Sequence, residues 1–235
     1  MIFKKLNNYF LAFIVFIYIP MVIAGAFFYA PSIKGLGQTG KIIIFHVPCS
    51  WITVLAFLIS AVSSGIILYR LSKNNPGVLN LDVWAAGSAQ IGFLFAVLAT
   101  VTGSIWAKKI WHSYWNWDPR ETSIFILLLI YAAYFALRSA ITNQRDKIRI
   151  SAVYSIMAFI TVPFFIFIIP RLYDSLHPNP IINESREINM NRQLQTVFFA
   201  SLFGFSIFFG YLLKLKIKIG LLMNKKELLL EDEDE

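Results

Sequence analysis

Cysteine is almost missing from this chain: Cys49 stands alone among 235 residues. A single cysteine excludes an intramolecular disulfide and a CxxC redox pair. Histidine is nearly as scarce, and no HxxxH spacing offers a zinc site. Charge is sparse, at 14% of residues, where a soluble domain carries roughly 25%. The centres of the apolar stretches hold almost no ionisable residue. That argues against a small transporter with a tryptophan-anchored gate, since such proteins carry ionisable or broken-helix features at the midplane. No internal repeat is evident.

What fills the chain is apolar: 57% of residues are hydrophobic and 22 are phenylalanine. A transmembrane helix needs about 20 mostly apolar residues. Six segments meet that test, roughly 9–29, 43–68, 83–106, 122–142, 151–170 and 195–214. The fold class is therefore all-α, a polytopic bundle of about six transmembrane helices in contact with membrane lipid. The run from Tyr9 to Tyr29 is longer than a signal-peptide core and reads as a retained first helix. Residues 1–226 form one transmembrane domain with a tryptophan-rich loop at 106–122. Residues 227–235 read as an acidic, solvated, disordered tail.

A net charge of +8 would suggest nucleic acid in a soluble chain. In a membrane protein it reflects basic cytoplasmic loops, so no nucleic-acid partner is expected. With the N-terminus inside, thirteen of the 21 Lys and Arg lie on the cytoplasmic side, Arg138 and Arg145 among them, and eight lie outside, including Arg120, Arg171 and Arg186. The expectation is a multi-pass protein of the inner (cytoplasmic) membrane with both termini in the cytoplasm. The loops 107–121 and 171–194, and with them His46, His112 and His177, then face outward.

The richest segment is WAKKIWHSYWNWDPRET, Trp106 to Thr122. It holds four of the six tryptophans: Trp106, Trp111, Trp115 and Trp117. Interfacial anchoring explains one or two such rings per helix end. Capping explains DPRE, with Asp118 as N-cap, Pro119 at N1 and Glu121 reaching back. Neither explains the density. Trp111 and Trp115 are four apart, so a short helix would set both on one face as a platform for a planar aromatic ligand. The helix N-terminus beside it, with Arg120, Lys108 and Lys109, could receive carboxylates on the ligand's rim.

His46 lies at the outer start of the second helix, and His177 precedes Pro178 in a loop. Singly, each reads as an interfacial or solvated histidine. Together they flank the tryptophan-rich loop on one side of the membrane, and two neutral imidazoles can fill both axial positions of a haem iron.

The pattern Trp111-xxx-Trp115-x-Trp117-Asp118 resembles the tryptophan-rich (WWD) signature of the haem-handling protein family. Within that family the chain is most similar to CcmC, the C component of cytochrome c maturation, over nearly its whole length. The resemblance implies binding of haem b at the outer face, with His46 and His177 as the essential histidines flanking the motif. It also implies presentation to a haem chaperone, with ABC-transporter subunits or other maturation proteins as partners, and delivery rather than bond-making. Two residues depart from the pattern. His112 stands where the family usually has glycine. The ending DPRET is closer to the larger CcsA-type cytochrome c synthases, so the alternative is a haem-lyase subunit that attaches haem to apocytochrome thiols.

Overall fold

A computed structural model describes residues 2–75, 77–178, 188 and 190–233. In lipid an isolated segment satisfies its backbone polar groups only by coiling into a helix, and the apolar runs do so. Helix α1 spans Ile2–Ala24 and passes into a π-helical turn, Gly25–Tyr29. A 3-10 turn, Gln38–Ile42, leads into α2, Ile43–Ser72. Then come α3, Val78–Trp111, α4, Pro119–Ala140, and α5, Gln144–Pro163. A second π turn, Phe164–Ile168, follows α5, then the short α6, Ile169–Leu172, and finally α7, Arg192–Glu233. No strand occurs among the described residues, only the isolated bridge between Ile33 and Gly37. Five of the long helical stretches are apolar and long enough to cross a membrane, and Val15–Tyr29 is a shorter apolar helix.

Each of the six expected segments is a helix, but with different ends. The third reaches back to Val78 and forward to Trp111, so Trp106 and Trp111 sit on α3 rather than in a loop. The fifth starts seven residues early, because Asn143 caps it by accepting the Asp146 N–H at 3.0 Å. The sixth does not stop at 214. Its helical backbone continues to Glu233, through most of the acidic run expected to be disordered. Asp234, Glu235 and Arg186 lie outside the described residues.

Helix α2 is the hub and contributes to all four apolar clusters. Its Cys49, Ile52 and Ala56 pack with Ile91 and Phe95 of α3 and Phe209 and Leu213 of α7. Ile44 joins Val22 of α1 and Val197 of α7. Phe57 joins Leu127 and Tyr131 of α4 and Ala158 of α5. Ile67 joins Ala85 and Ile148. Small residues let the helices approach closely, as is usual where lipid removes the hydrophobic drive between helices. A Cβ on Gly92 would lie 2.7 Å from the Phe57 ring. At the end of the bundle remote from His46, Arg138 of α4 is paired across helices. Its guanidinium forks onto the buried Asp82 carboxylate of α3, with Nη1 at 2.8 Å from Oδ1. Removing either partner would leave a buried charge uncompensated, at a cost of about 3–5 kcal/mol.

Candidate functional site

Three chain segments converge at the His46 end of the bundle. The first turns of α2 carry His46. The last turns of α3 carry Thr102, Gly103, Trp106 and Trp111. The start of α4 and the segment after α6 bring Asp118, Arg120 and His177.

Asp118 organises this end. As N-cap of α4 it accepts the Arg120 N–H through Oδ1 at 2.9 Å, and Pro119 occupies N1. Its carboxylate has no solvent exposure and does far more than cap. Oδ2 accepts the Leu176 N–H at 2.7 Å and the Ser175 hydroxyl at 2.9 Å. Oδ1 lies 2.9 Å from Nδ1 of His177. Burial alone would raise the Asp118 carboxyl pKa. The Arg120 N–H, His177, the Leu176 N–H and the Ser175 hydroxyl together outweigh it and hold the group below the usual carboxylate range. Asp118 is thus an ionised acceptor that ties the loop 175–177 to the start of α4.

An ionised carboxylate can only accept, so Nδ1 of His177 carries the proton and Nε2 keeps its lone pair. Burial lowers the His177 pKa below the ordinary imidazole value, and Asp118 opposes this only in part. The ring is neutral near pH 7, with its second nitrogen free to ligate. It sits among tryptophans, its centroid 4.9 Å from Trp111 and 5.9 Å from Trp106.

His46 is held in the same sense by a different device. Its Nδ1 lies 3.1 Å from Oγ1 of Thr102. The one hydrogen of that hydroxyl is committed to its own helix, with the Leu98 carbonyl at 2.7 Å and the Ala99 carbonyl at 3.1 Å. The Thr102 oxygen therefore accepts from Nδ1–H of His46, and again Nε2 keeps the lone pair. Gly103 makes room for this ring: a Cβ there would lie 2.9 Å from its Cε1. A charge on His177 or Arg120 would be felt at His46. The two imidazoles and the guanidinium therefore share one electrostatic neighbourhood.

The tryptophans do not form one platform. Helix α3 ends at Trp111 because His112 adopts the left-handed conformation, φ 61°. Residues 112–118 are not helical, so Trp111 and Trp115 do not share a helix face. Trp106 and Trp111 meet edge to face at 4.9 Å beside His177. Trp115 instead packs against Trp117 and Phe125 at 5.9 and 6.1 Å, and Trp117 is 69% exposed. Glu121 also departs from the capping box. Its Oε2 accepts the Asn116 N–H at 2.7 Å, two residues before the N-cap, and so pins the loop rather than the cap. His112 is exposed, and its carbonyl receives Lys108 Nζ at 3.0 Å. The structure thus brings Trp106, Trp111, Asp118, Arg120, His46 and His177 to one end, with Trp115 and Trp117 as a separate pair. Thr102, Gly103 and Ser175 join the site without a signal in the linear motif.

A family model described as CcmC, heme exporter protein C, matches residues 1–230. The chain belongs to the CcmC family. A ccmC-like mitochondrial protein named for cytochrome c biosynthesis, from Marchantia polymorpha, is 30% identical over 183 residues, covering 77% of this chain and 75% of that protein. Heme exporter protein C of Bradyrhizobium diazoefficiens is 34% identical over 139 residues, 59% of this chain and only half of that protein's length. The cytochrome c biogenesis protein CcsA of Daucus carota is 34% identical over 100 residues, 43% of this chain and 30% of that protein. Similarity to a CcmC-type protein thus extends over more of the chain than similarity to CcsA.

Proposed function

We propose that this CcmC-family protein holds haem b at the outer face of the inner membrane, with His46 and His177 as axial ligands, and presents it for cytochrome c maturation. The observation that carries this is the shared state of the two imidazoles. Each is anchored at Nδ1 by an acceptor that fixes its tautomer, and each keeps Nε2 as a lone-pair donor. A carboxylate–histidine pair of this kind orients a metal ligand and raises its basicity. Among the described residues, no group of three or more His, Cys, Asp or Glu is placed to hold a bare metal ion. Two imidazoles alone suit an iron whose other ligands come from a porphyrin.

The surrounding residues fit the rest of such a cargo. Trp106 and Trp111 offer an apolar wall. The Trp106 Nε1–H and the Asn116 Nδ2 amide are buried without an acceptor among the described residues. With Arg120 they supply donors for carboxylates on the porphyrin rim. The exposed Trp117, backed by the half-buried Trp115, stands beside the site as a surface for a haem chaperone, and the apolar flanks of the bundle accept lipid and ABC-transporter subunits or other maturation proteins. The names of the Bradyrhizobium and Marchantia relatives support haem export and cytochrome c biosynthesis as the setting. The CcsA likeness and the DPRET ending favour a second reading, a haem-lyase subunit. Haem-loaded protein mixed with apocytochrome separates the two: delivery leaves the apocytochrome thiols free unless other factors are added, whereas a lyase consumes them. For the binding itself, the visible spectrum of the purified protein should be low-spin and six-coordinate. A protein that takes up no haem would refute the proposal.

A further inference from the structure

Halfway along the bundle, α2, α3 and α5 meet through serines. The Ser60 and Ser155 hydroxyls are fully buried and hydrogen-bonded to each other at 3.0 Å, which fixes the antiparallel register of α2 against α5. The flanking layers agree with it. Phe57 and Ala158 share one apolar cluster, and Ile67 and Ile148 share another. One turn from Ser60 along α2 is Ser64. One turn back from Ser155 along α5 is Ser151. Residues four apart lie on one helix face, so this register sets Ser64 opposite Ser151. On α3, Gly92 lies against Phe57 and Gly103 against His46. The same face one turn from Gly92 carries Ser88, level with Ser60.

Ser64, Ser88 and Ser151 are each at most 2% exposed, and none of their hydroxyls has a hydrogen-bond partner among the described residues. The Tyr131 hydroxyl, on the Phe57 side of the layer, is in the same condition, its ring stacked on Phe57 at 3.4 Å. Buried hydroxyls without partners are costly, and buried water supplies such partners where two to four polar groups converge.

We propose that one or more ordered water molecules bind between α2, α3 and α5, held by Ser64, Ser88 and Ser151 beside the Ser60–Ser155 bond. The site needs neither haem nor a partner. It joins the helix whose first turns carry His46 to the helix that leads, through the π turn, to the segment carrying His177. A water bridge makes the serines depend on one another, whereas hydroxyls turned back to their own helix carbonyls act independently.

The test is thermal unfolding of the full-length protein in detergent, for Ser64→Ala, Ser151→Ala, the double variant and Ser88→Ala. Each single change should lower the midpoint by about 2–4 °C. The Ser64/Ser151 double variant should fall no further than the worse single, because either change removes the same bridge. Additive losses would overturn the proposal, and so would unchanged or raised midpoints, which mark dry hydroxyls. A high-resolution experimental map offers a second check that depends on no variant. Density within hydrogen-bonding distance of the three hydroxyls supports the site, and a dry layer there refutes it.

Discussion

Asp118→Asn separates the two roles that the structure gives this carboxylate. Asn caps a helix as well as Asp does, so α4 should still start at Pro119. The other bonds cannot all survive. If the amide oxygen stays on the Arg120 N–H and on Nδ1 of His177, the new NH2 group faces the Leu176 N–H, which now sits 2.7 Å from Oδ2. Donor then meets donor, and the loop carrying His177 is pushed off. If the amide flips, its NH2 group faces both the Arg120 N–H, which loses that cap acceptor, and Nδ1 of His177. That nitrogen must then accept, which moves the imidazole proton to Nε2 and removes the lone pair that the proposed iron ligation requires. Hydrogen bonds to a charged group are worth about 1.5–3 kcal/mol. Loss of a metal ligand's outer partner costs about 10–100-fold in affinity, the same range at about 1.4 kcal/mol per tenfold. Haem titration of the purified variant, followed in the visible spectrum, should show that loss while the helical content stays unchanged. A variant that binds haem like the parent, with His177 still required, would reduce Asp118 to a cap and refute the tautomer argument.

Three further outcomes follow from the geometry. Gly103→Ala places a Cβ 2.9 Å from Cε1 of His46. It should break the Thr102 bond and weaken haem binding about 10–100-fold; titration at parental affinity would show that the ring has room to move. His112→Gly relieves a left-handed residue, worth about 1 kcal/mol. It should raise the unfolding midpoint by about 2–4 °C and leave the haem spectrum unaltered, and a changed spectrum would give His112 a role at the iron. For topology, single-cysteine probes at Ser113 should be labelled from outside and those at Asn75 should not; labelling at Asn75 alone would invert the orientation.

The helices were legible because each apolar run is long and lipid demands that it coil. The Asp118 cap was legible from its own cap sequence, and the placing of His46 and His177 near one end of the bundle from the order of the helices. What sets the histidine tautomers was not. Thr102 meets His46 across 56 residues of chain, and Ser175 meets Asp118 across 57. Nothing in either segment points to the other. Trp111 and Trp115 looked like one face because their spacing is helical. One residue between them, His112, takes a positive φ and ends the helix. Its place in the motif is usually glycine, and the left-handed backbone explains why glycine suits it. Arg138 and Asp82 show the same limit, since each looks like an end charge until helix packing brings them together.

The measurement closest to the central claim is the visible spectrum of His46→Ala, His177→Ala and His112→Ala, each with and without added imidazole. Loss of either axial imidazole opens one coordination position. The His46 and His177 variants should therefore lose the low-spin, six-coordinate form and partly regain it with imidazole, while the His112 variant keeps it throughout. A low-spin spectrum that survives loss of His46 or His177 but disappears with His112 would contradict the assignment, and one that survives all three would place the iron on other ligands.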